Sequence, residues 1–171
     1  LEGMAEAVRA DVSSPPQGRA MAEVISSRAG RLDVLVNNAG IAVDGLLVRY
    51  PEIEWERVID INLKGCFNCI QALVPLMIES GGGHVVNISS RSGIAGRAGQ
   101  AAYSAAKAGL IGFGKTLARE LAKDGILVNT VVPGYMATEM GRAAERALGM
   151  ARDESLLGSL TGEAEVARFI A

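Results

Sequence analysis

Three short apolar runs constrain this chain more than any other feature: Leu32-Asp33-Val34-Leu35-Val36, Val85-Val86-Asn87-Ile88 and Ile126 to Val132. Each has the length of a strand, and a helical pattern long enough to recross a sheet separates one from the next. Parallel strands need crossovers of a dozen residues or more, and such crossovers are right-handed almost without exception. A continuous apolar run is what a strand covered on both faces requires. The expected fold class is α/β: an open, doubly wound parallel sheet with helices on both faces.

The helical segments are Gln17 to Arg28, ended by Gly30, then Pro51 to Asp60 and Asn62 to Ser80, the latter stopped by Gly81-Gly82-Gly83. Gln100 to Lys123 is the longest, with Gly125 just past its end, where a left-handed C-cap favours glycine. A further short strand is expected at Val8-Arg9-Ala10-Asp11-Val12, closed by Ser13-Ser14-Pro15-Pro16. From Tyr135 to Leu160 the pattern weakens, which suggests loops and short helices, and Glu163 to Ala171 is again helical. Residues 1–171 read as a single partial domain, truncated at both ends.

Composition narrows the function. Aromatic residues are only 4% while glycines number 21, a mixture that suits helices packed closely on a sheet better than a β-sandwich. The net charge of −2, without a long run of one sign, argues against a nucleic-acid partner. No uninterrupted apolar stretch has the length of a membrane span, and the first residues do not read as a signal peptide, so no membrane partner and a cytoplasmic location are expected. Cys66 and Cys69 lack a second ligand pair and lie in a helical pattern, which favours core packing over a metal or redox site.

In open parallel sheets ligands bind beyond the carboxyl ends of the strands, so the residues there matter most. After the first apolar run comes Asn37-Asn38-Ala39-Gly40, where small residues admit a flat ligand and Asn side chains can tie strands together. After the second comes the hydroxyl cluster Ser89-Ser90-Arg91-Ser92-Gly93. Tyr103-Ser104-Ala105-Ala106-Lys107 opens the longest helix and puts a phenol and an ammonium on one face. A fixed positive charge favours phenolate, which predicts a lowered Tyr103 pKa and a general acid/base.

Asn-Asn-Ala-Gly, a Ser before the Tyr-x-x-x-Lys, and then Pro133-Gly134 occur in one order. In this the chain resembles the short-chain dehydrogenase/reductase family in its compact form, with a Rossmann-like sheet. The stretch Gly99-Gln100-Ala101-Ala102-Tyr103-Ser104-Ala105-Ala106-Lys107-Ala108-Gly109-Leu110 looks most like the 3-oxoacyl thioester reductases. The resemblance implies an NAD(P)-dependent oxidoreductase that reduces a 3-oxoacyl thioester, borne by acyl carrier protein or CoA, to the 3-hydroxyacyl thioester. A dehydrogenase of a sugar, polyol or steroid alcohol is the alternative, and a catalytically silent nucleotide-binding scaffold is a third reading. Fatty-acid synthesis, polyester precursor supply and secondary metabolism all use such a step.

By the same resemblance the catalytic residues are Asn62, Ser90, Tyr103 and Lys107. Tyr103 gives its proton to the carbonyl oxygen, Ser90 holds that oxygen, and Lys107 lowers the Tyr pKa and bonds the nicotinamide ribose. Asn62 kinks its helix and positions a water beside Lys107, or caps the helix. Asp11 and Val12 meet the adenine; Asn38, Ala39 and Gly40 line its ribose; Pro133, Gly134, Met136 and Thr138 fix the carboxamide, with Tyr103 and Lys107 completing the cofactor set. NADP(H) is the favoured cofactor and NAD(H) the alternative; no metal is implied. The segment from Tyr135 to Met150 would close over substrate, and Arg91, Arg97, Arg142 and Arg146 would meet the phosphates of a CoA. The family's first strand, Gly-rich turn and second strand would precede Leu1, and its final strand would follow Ala171. These residues alone are therefore expected to bind cofactor poorly and to lack a stable fold. The two long helices carry wide apolar arcs and should be buried over a wide arc, and the resemblance implies that they join subunits in a homo-oligomer, a tetramer or dimer.

Overall fold

The computed structural model describes residues 5–134, 136 and 162–170. Three parallel strands form one sheet in the order β1 (Val34–Asn37), β2 (Gly83–Ile88) and β3 (Ile126–Val131). The register sets Asn37 beside Asn87 and Asn87 beside Thr130, so the carboxyl ends of the strands align along one rim. The helices are α1 (Pro15–Ala29), α2 (Glu52–Ile59), α3 (Gly65–Glu79), α4 (Ser92–Ala95), α5 (Ala101–Glu120) and α6 (Glu163–Ile170).

Local chemistry sets the ends of these elements. Pro15 and Pro16 suit the first turn of α1, where their missing N–H groups cost nothing. Gly30 closes α1 at φ 69°, returning its N–H to the carbonyls of Ile25 and Ser26. The core lies between α3, α5 and the sheet: Met77, Val85 and Ile126 are fully buried, with Ile70, Val74, Leu110 and Leu117 around them.

The structure departs from the sequence reading in three places. Residues 8–12 form no strand: the Asp11 N–H donates to the Gln17 side chain, and the Val12 carbonyl accepts from Asn68. Strand β1 is not covered on both faces, since Val34 is 49% and Val36 42% exposed. Both departures share a cause. A groove of about 310 Å³, lined by Val12, Met21, Ile25, Val34, Val36 and Leu73 among others, separates residues 8–12 from β1. Among the described residues no strand lies beside β1 on that side, so residues 8–12 have no ladder to join there.

The third departure concerns the break expected between Asp60 and Asn62. A π-helical turn, Asp60–Lys64, instead carries α2 into α3 without interruption. The joined helix, Glu52–Glu79, is long and apolar enough by length and composition to cross a membrane. Seven core side chains of α3, from Cys66 to Met77, are buried against the rest of the fold, as in the core helix of a globular domain.

Candidate active site

The site grows from the end of β2 and the first turns of α5. The Ser89 hydroxyl donates to the Lys107 carbonyl at 2.7 Å, and Lys107 Nζ donates back to the Ile88 carbonyl at 2.7 Å. Strand and helix are thus stitched together at the position where Lys107 emerges. Gly93 permits the fit of α4 on α5, since a Cβ there would stand 2.6 Å from the Lys107 carbonyl carbon. Lys107 is 4% exposed, and burial lowers its pKa to about 8.

One turn earlier, the Tyr103 ring centroid lies 5.6 Å from Lys107 Nζ. The Ser90 hydroxyl is near enough to the Tyr103 phenol to favour its charged form. Of the three clustered serines this is the one free for such a role, because Ser89 is committed to Lys107 and Ser92 donates to Gln100 at 2.8 Å. The expected lowering of the Tyr103 pKa is not found. Burial raises it, the Ser90 hydroxyl opposes that rise, and the charge of Asp44 adds to it. The cause is geometric: the Lys107 ammonium is turned to the Ile88 carbonyl and is itself weakened by burial. A phenol in this state keeps its proton at neutral pH, which is the form an acid needs.

Asn62 sits in the π-helical turn, 1% exposed, and does not cap its own helix. Its Oδ1 accepts from the Ile41 N–H and its Nδ2 donates to the Ile41 carbonyl, each at 2.8 Å. Gly40 passes so close that a Cβ there would meet Asn62 Oδ1 at 2.6 Å and Lys107 Nζ at 3.5 Å. The chain after β1 is thereby held against the Lys107 ammonium.

The nucleotide side is more open. Asn38 and Ala39 are exposed at the mouth of the groove that also takes in Val12. Asp11 is exposed, and hydrogen bonds from the Ser13 hydroxyl and N–H lower its pKa. Pro133 and Met136 are half-buried and Gly134 exposed; Thr138, Arg142, Arg146 and most of the expected lid lie outside the described residues. The donor set fits a nicotinamide nucleotide. Lys107 spends one of its three N–H bonds on Ile88, leaving donors for ribose hydroxyls, and the neighbouring residues at Ala39 and Gly40 are small.

Some expectations from residue type hold directly. Asn37 ties β1 to β2, its Nδ2 donating to Asn87 Oδ1 at 2.9 Å. Cys66 and Cys69 are buried free thiols, and burial pushes the Cys66 thiol up to about 12, far from a reactive thiolate. The sequence reading missed Asp44, and the part Gln100 plays through its side chain. Gln100 donates to Asp44 at 3.0 Å while accepting from Ser92, and the Gly45 N–H donates to the Gly99 carbonyl at 2.8 Å. The glycines at 45 and 99 were the signal available, since close backbone approach asks for them.

The short chain dehydrogenase family model matches residues 1–149. The chain is similar to a 3-oxoacyl-(acyl-carrier-protein) reductase FabG of Staphylococcus aureus, 51% identical over 134 residues, covering 78% of this chain and 54% of the relative. It is similar to a 3-oxoacyl-(acyl-carrier-protein) reductase of Synechocystis, 48% identical over 138 residues, covering 81% and 56%. A FabG of Thermotoga maritima is 44% identical over 171 residues, covering 99% and 70%. The chain spans about half the length of the Staphylococcus aureus relative.

Proposed function

On the premise that this chain belongs to the short chain dehydrogenase family, we propose that it reduces a 3-oxoacyl thioester to the 3-hydroxyacyl thioester with a nicotinamide cofactor. The observation that carries this reading is the Tyr103 phenol, with the Ser90 hydroxyl near it and a buried ammonium 5.6 Å from its ring centroid. The relatives' names favour a substrate borne by acyl carrier protein, and NADPH is the cofactor tested first.

When bound, the nicotinamide supplies a hydride to the ketone carbon. The Ser90 and Tyr103 hydroxyls hold the ketone oxygen, and Tyr103 passes its proton to that oxygen as negative charge develops there. Carbonyl, hydride and proton together make the secondary alcohol. Lys107 bonds the nicotinamide ribose and keeps positive charge beside the phenol while the proton leaves. Asn62 holds residues 40 and 41 against Lys107. Asp11, Val12, Asn38, Ala39 and Gly40 serve the adenosine end, and Pro133, Gly134, Met136 and Thr138 the carboxamide. Exposed Phe67 and Ile78 on α3 support a homo-oligomer, and the two buried free thiols suit a reducing cytoplasm.

The test uses the full-length gene product and follows nicotinamide absorbance with NADPH, then NADH, on acetoacetyl-acyl carrier protein and acetoacetyl-CoA. Turnover of either thioester supports the reading and identifies the carrier and cofactor. Cofactor binding without turnover of either thioester overturns it and directs attention to sugar, polyol and steroid alcohols. Cofactor binding without turnover of those alcohols either points to the silent nucleotide-binding scaffold, and absence of binding overturns all three readings.

A further inference from the structure

The loop after β1, residues 41–45, is fastened at four points. Asn62 takes both backbone groups of Ile41, and the Tyr50 hydroxyl donates to the Val43 carbonyl at 2.8 Å. Gly45 bridges to the residues just before α5, its N–H donating to Gly99. The fourth point is a side-chain relay. The Ser90 hydroxyl accepts from the Ser92 N–H at 3.2 Å, and the Ser92 hydroxyl donates to Gln100 Oε1. Gln100 Nε2 in turn donates to the Asp44 carboxylate.

Gln100 is the pivot. It is 5% exposed, both ends of its amide are engaged, and its carbonyl accepts from the Ser104 N–H at 2.7 Å to start α5 three residues before Tyr103. A buried amide bonded at both its oxygen and its nitrogen holds its orientation, because a flip of the amide breaks both bonds. Asp44 is the exposed end of the relay and brings a negative charge to the phenol side of the site.

We propose that Ser92, Gln100 and Asp44 form a positioning clamp for the reaction, holding the Ser90 hydroxyl, the start of α5 and the 41–45 loop in the one arrangement that lets Ser90 and Tyr103 meet the same substrate oxygen. The clamp rests on the reductase reading above for its consequence, but not for its existence. Its members touch neither the hydride path nor Lys107; they act through Ser90 and Tyr103. The charge of Asp44 also adds to the rise of the Tyr103 pKa that burial causes. The elements packed against α5 carry other charges: Arg91 and Arg97 around α4, the Glu and Arg residues of α2, Asp60 and Lys64 of the π-turn, and Lys123 and Asp124 at its far end. Of the charged groups, Asp44 weighs most on the phenol.

The clamp is tested in the full-length gene product with Asp44→Asn, which keeps an acceptor for Gln100 but removes the charge, and with Gln100→Ala, which breaks the relay. Two readouts are taken. The first is the ultraviolet titration of Tyr103, isolated as the difference from Tyr103→Phe. It needs no substrate, so a failed thioester assay does not affect it. Asp44→Asn moves this titration to lower pH, and Gln100→Ala moves it the same way. The second is kinetic: Gln100→Ala lowers kcat about tenfold with the KM for cofactor unchanged, less than the roughly hundredfold loss that a misplacement on the order of 1 Å produces. Asp44→Asn keeps an acceptor for Gln100, so it lowers kcat less than Gln100→Ala does, and it shifts the pH profile in step with the titration. Should Gln100→Ala fail to fold, Asp44→Ala at the exposed end of the relay removes the acceptor of Gln100 Nε2 and decides the matter by the same loss of kcat. An unchanged kcat in Gln100→Ala and Asp44→Ala overturns the clamp, as does an equal loss of kcat and cofactor affinity in Gln100→Ala.

Discussion

The two sides of the sheet differ in how far they are finished. Around β2, where α3 and α5 meet the sheet, Met77 and Leu110 are buried to 1% exposure or less and Val85 and Ile126 completely, although Leu127 on the outer strand β3 stays 57% exposed. Beside β1, Val34 and Val36 remain substantially exposed, and a groove of about 310 Å³ runs between the strand edge and residues 8–12. The residues assigned to chemistry (Ser90, Tyr103, Lys107) stand on the finished side. Several assigned to the nucleotide (Asp11, Val12, Asn38, Ala39) stand around the open one. Proton transfer demands fixed geometry within tenths of an ångström, and only a close-packed core supplies that.

Substitutions should cost unequally on the two sides. Met77→Ala, in the finished core, is expected to destabilise the fold by about 3 kcal/mol, the usual cost of emptying a closed site. A loss below about 1 kcal/mol in urea unfolding would erase the contrast.

Lys107→Met should act in the opposite direction, stabilising the cofactor-free protein by about 2 kcal/mol at neutral pH while removing activity. The sign follows from burial, which lowers the Lys107 pKa from 10.5 to about 8. Below pH 8 both folded and unfolded chains carry the charge, and the folded state bears the full cost of burying it. Between pH 8 and 10.5 the unfolded state binds more protons, so this contribution to stability improves as pH rises. The advantage of Lys107→Met should therefore shrink across that window. Melting temperatures at neutral pH and above pH 10 check it, and an advantage that grows with pH contradicts it.

Met21→Ala, at the groove, should cost less than about 1 kcal/mol, because the side chain already faces open volume. The smallest effect is expected for Val36→Thr on the half-exposed strand, within about 0.5 kcal/mol. Losses at both positions approaching that of Met77→Ala would mean that the groove closes in solution.

How much of this was legible in the sequence follows the same division. Strands β2 and β3 and most of helix α5 read true because apolar period decides them locally, but α5 stops at Glu120, and Gly125, at φ 71°, closes the short 3-10 turn Ala122–Asp124 that follows it rather than the helix itself. Ser90, Tyr103 and Lys107 were named from motif spacing, and the structure brings them to one rim. Residues 8–12 misled, because a strand is made by its neighbour as much as by its own residues. Asn62 was legible as a special position, but its partner Ile41 was not, since a π-turn leaves no local pattern. Asp44 and Gln100 stayed hidden, being 56 residues apart and joined only by the fold. The direction of the Tyr103 shift was also misread: sequence shows that Lys107 is near but not that it faces the Ile88 carbonyl.

The central claim is that chemistry and nucleotide binding are separable, with Tyr103 on the chemical side. Tyr103→Phe in the full-length gene product tests it most directly, with thioester turnover and cofactor dissociation constant measured on one preparation. The account predicts that turnover disappears while the dissociation constant rises by no more than about fivefold, the worth of one hydrogen bond. Turnover that survives the substitution, or cofactor binding that vanishes with it, would contradict the account.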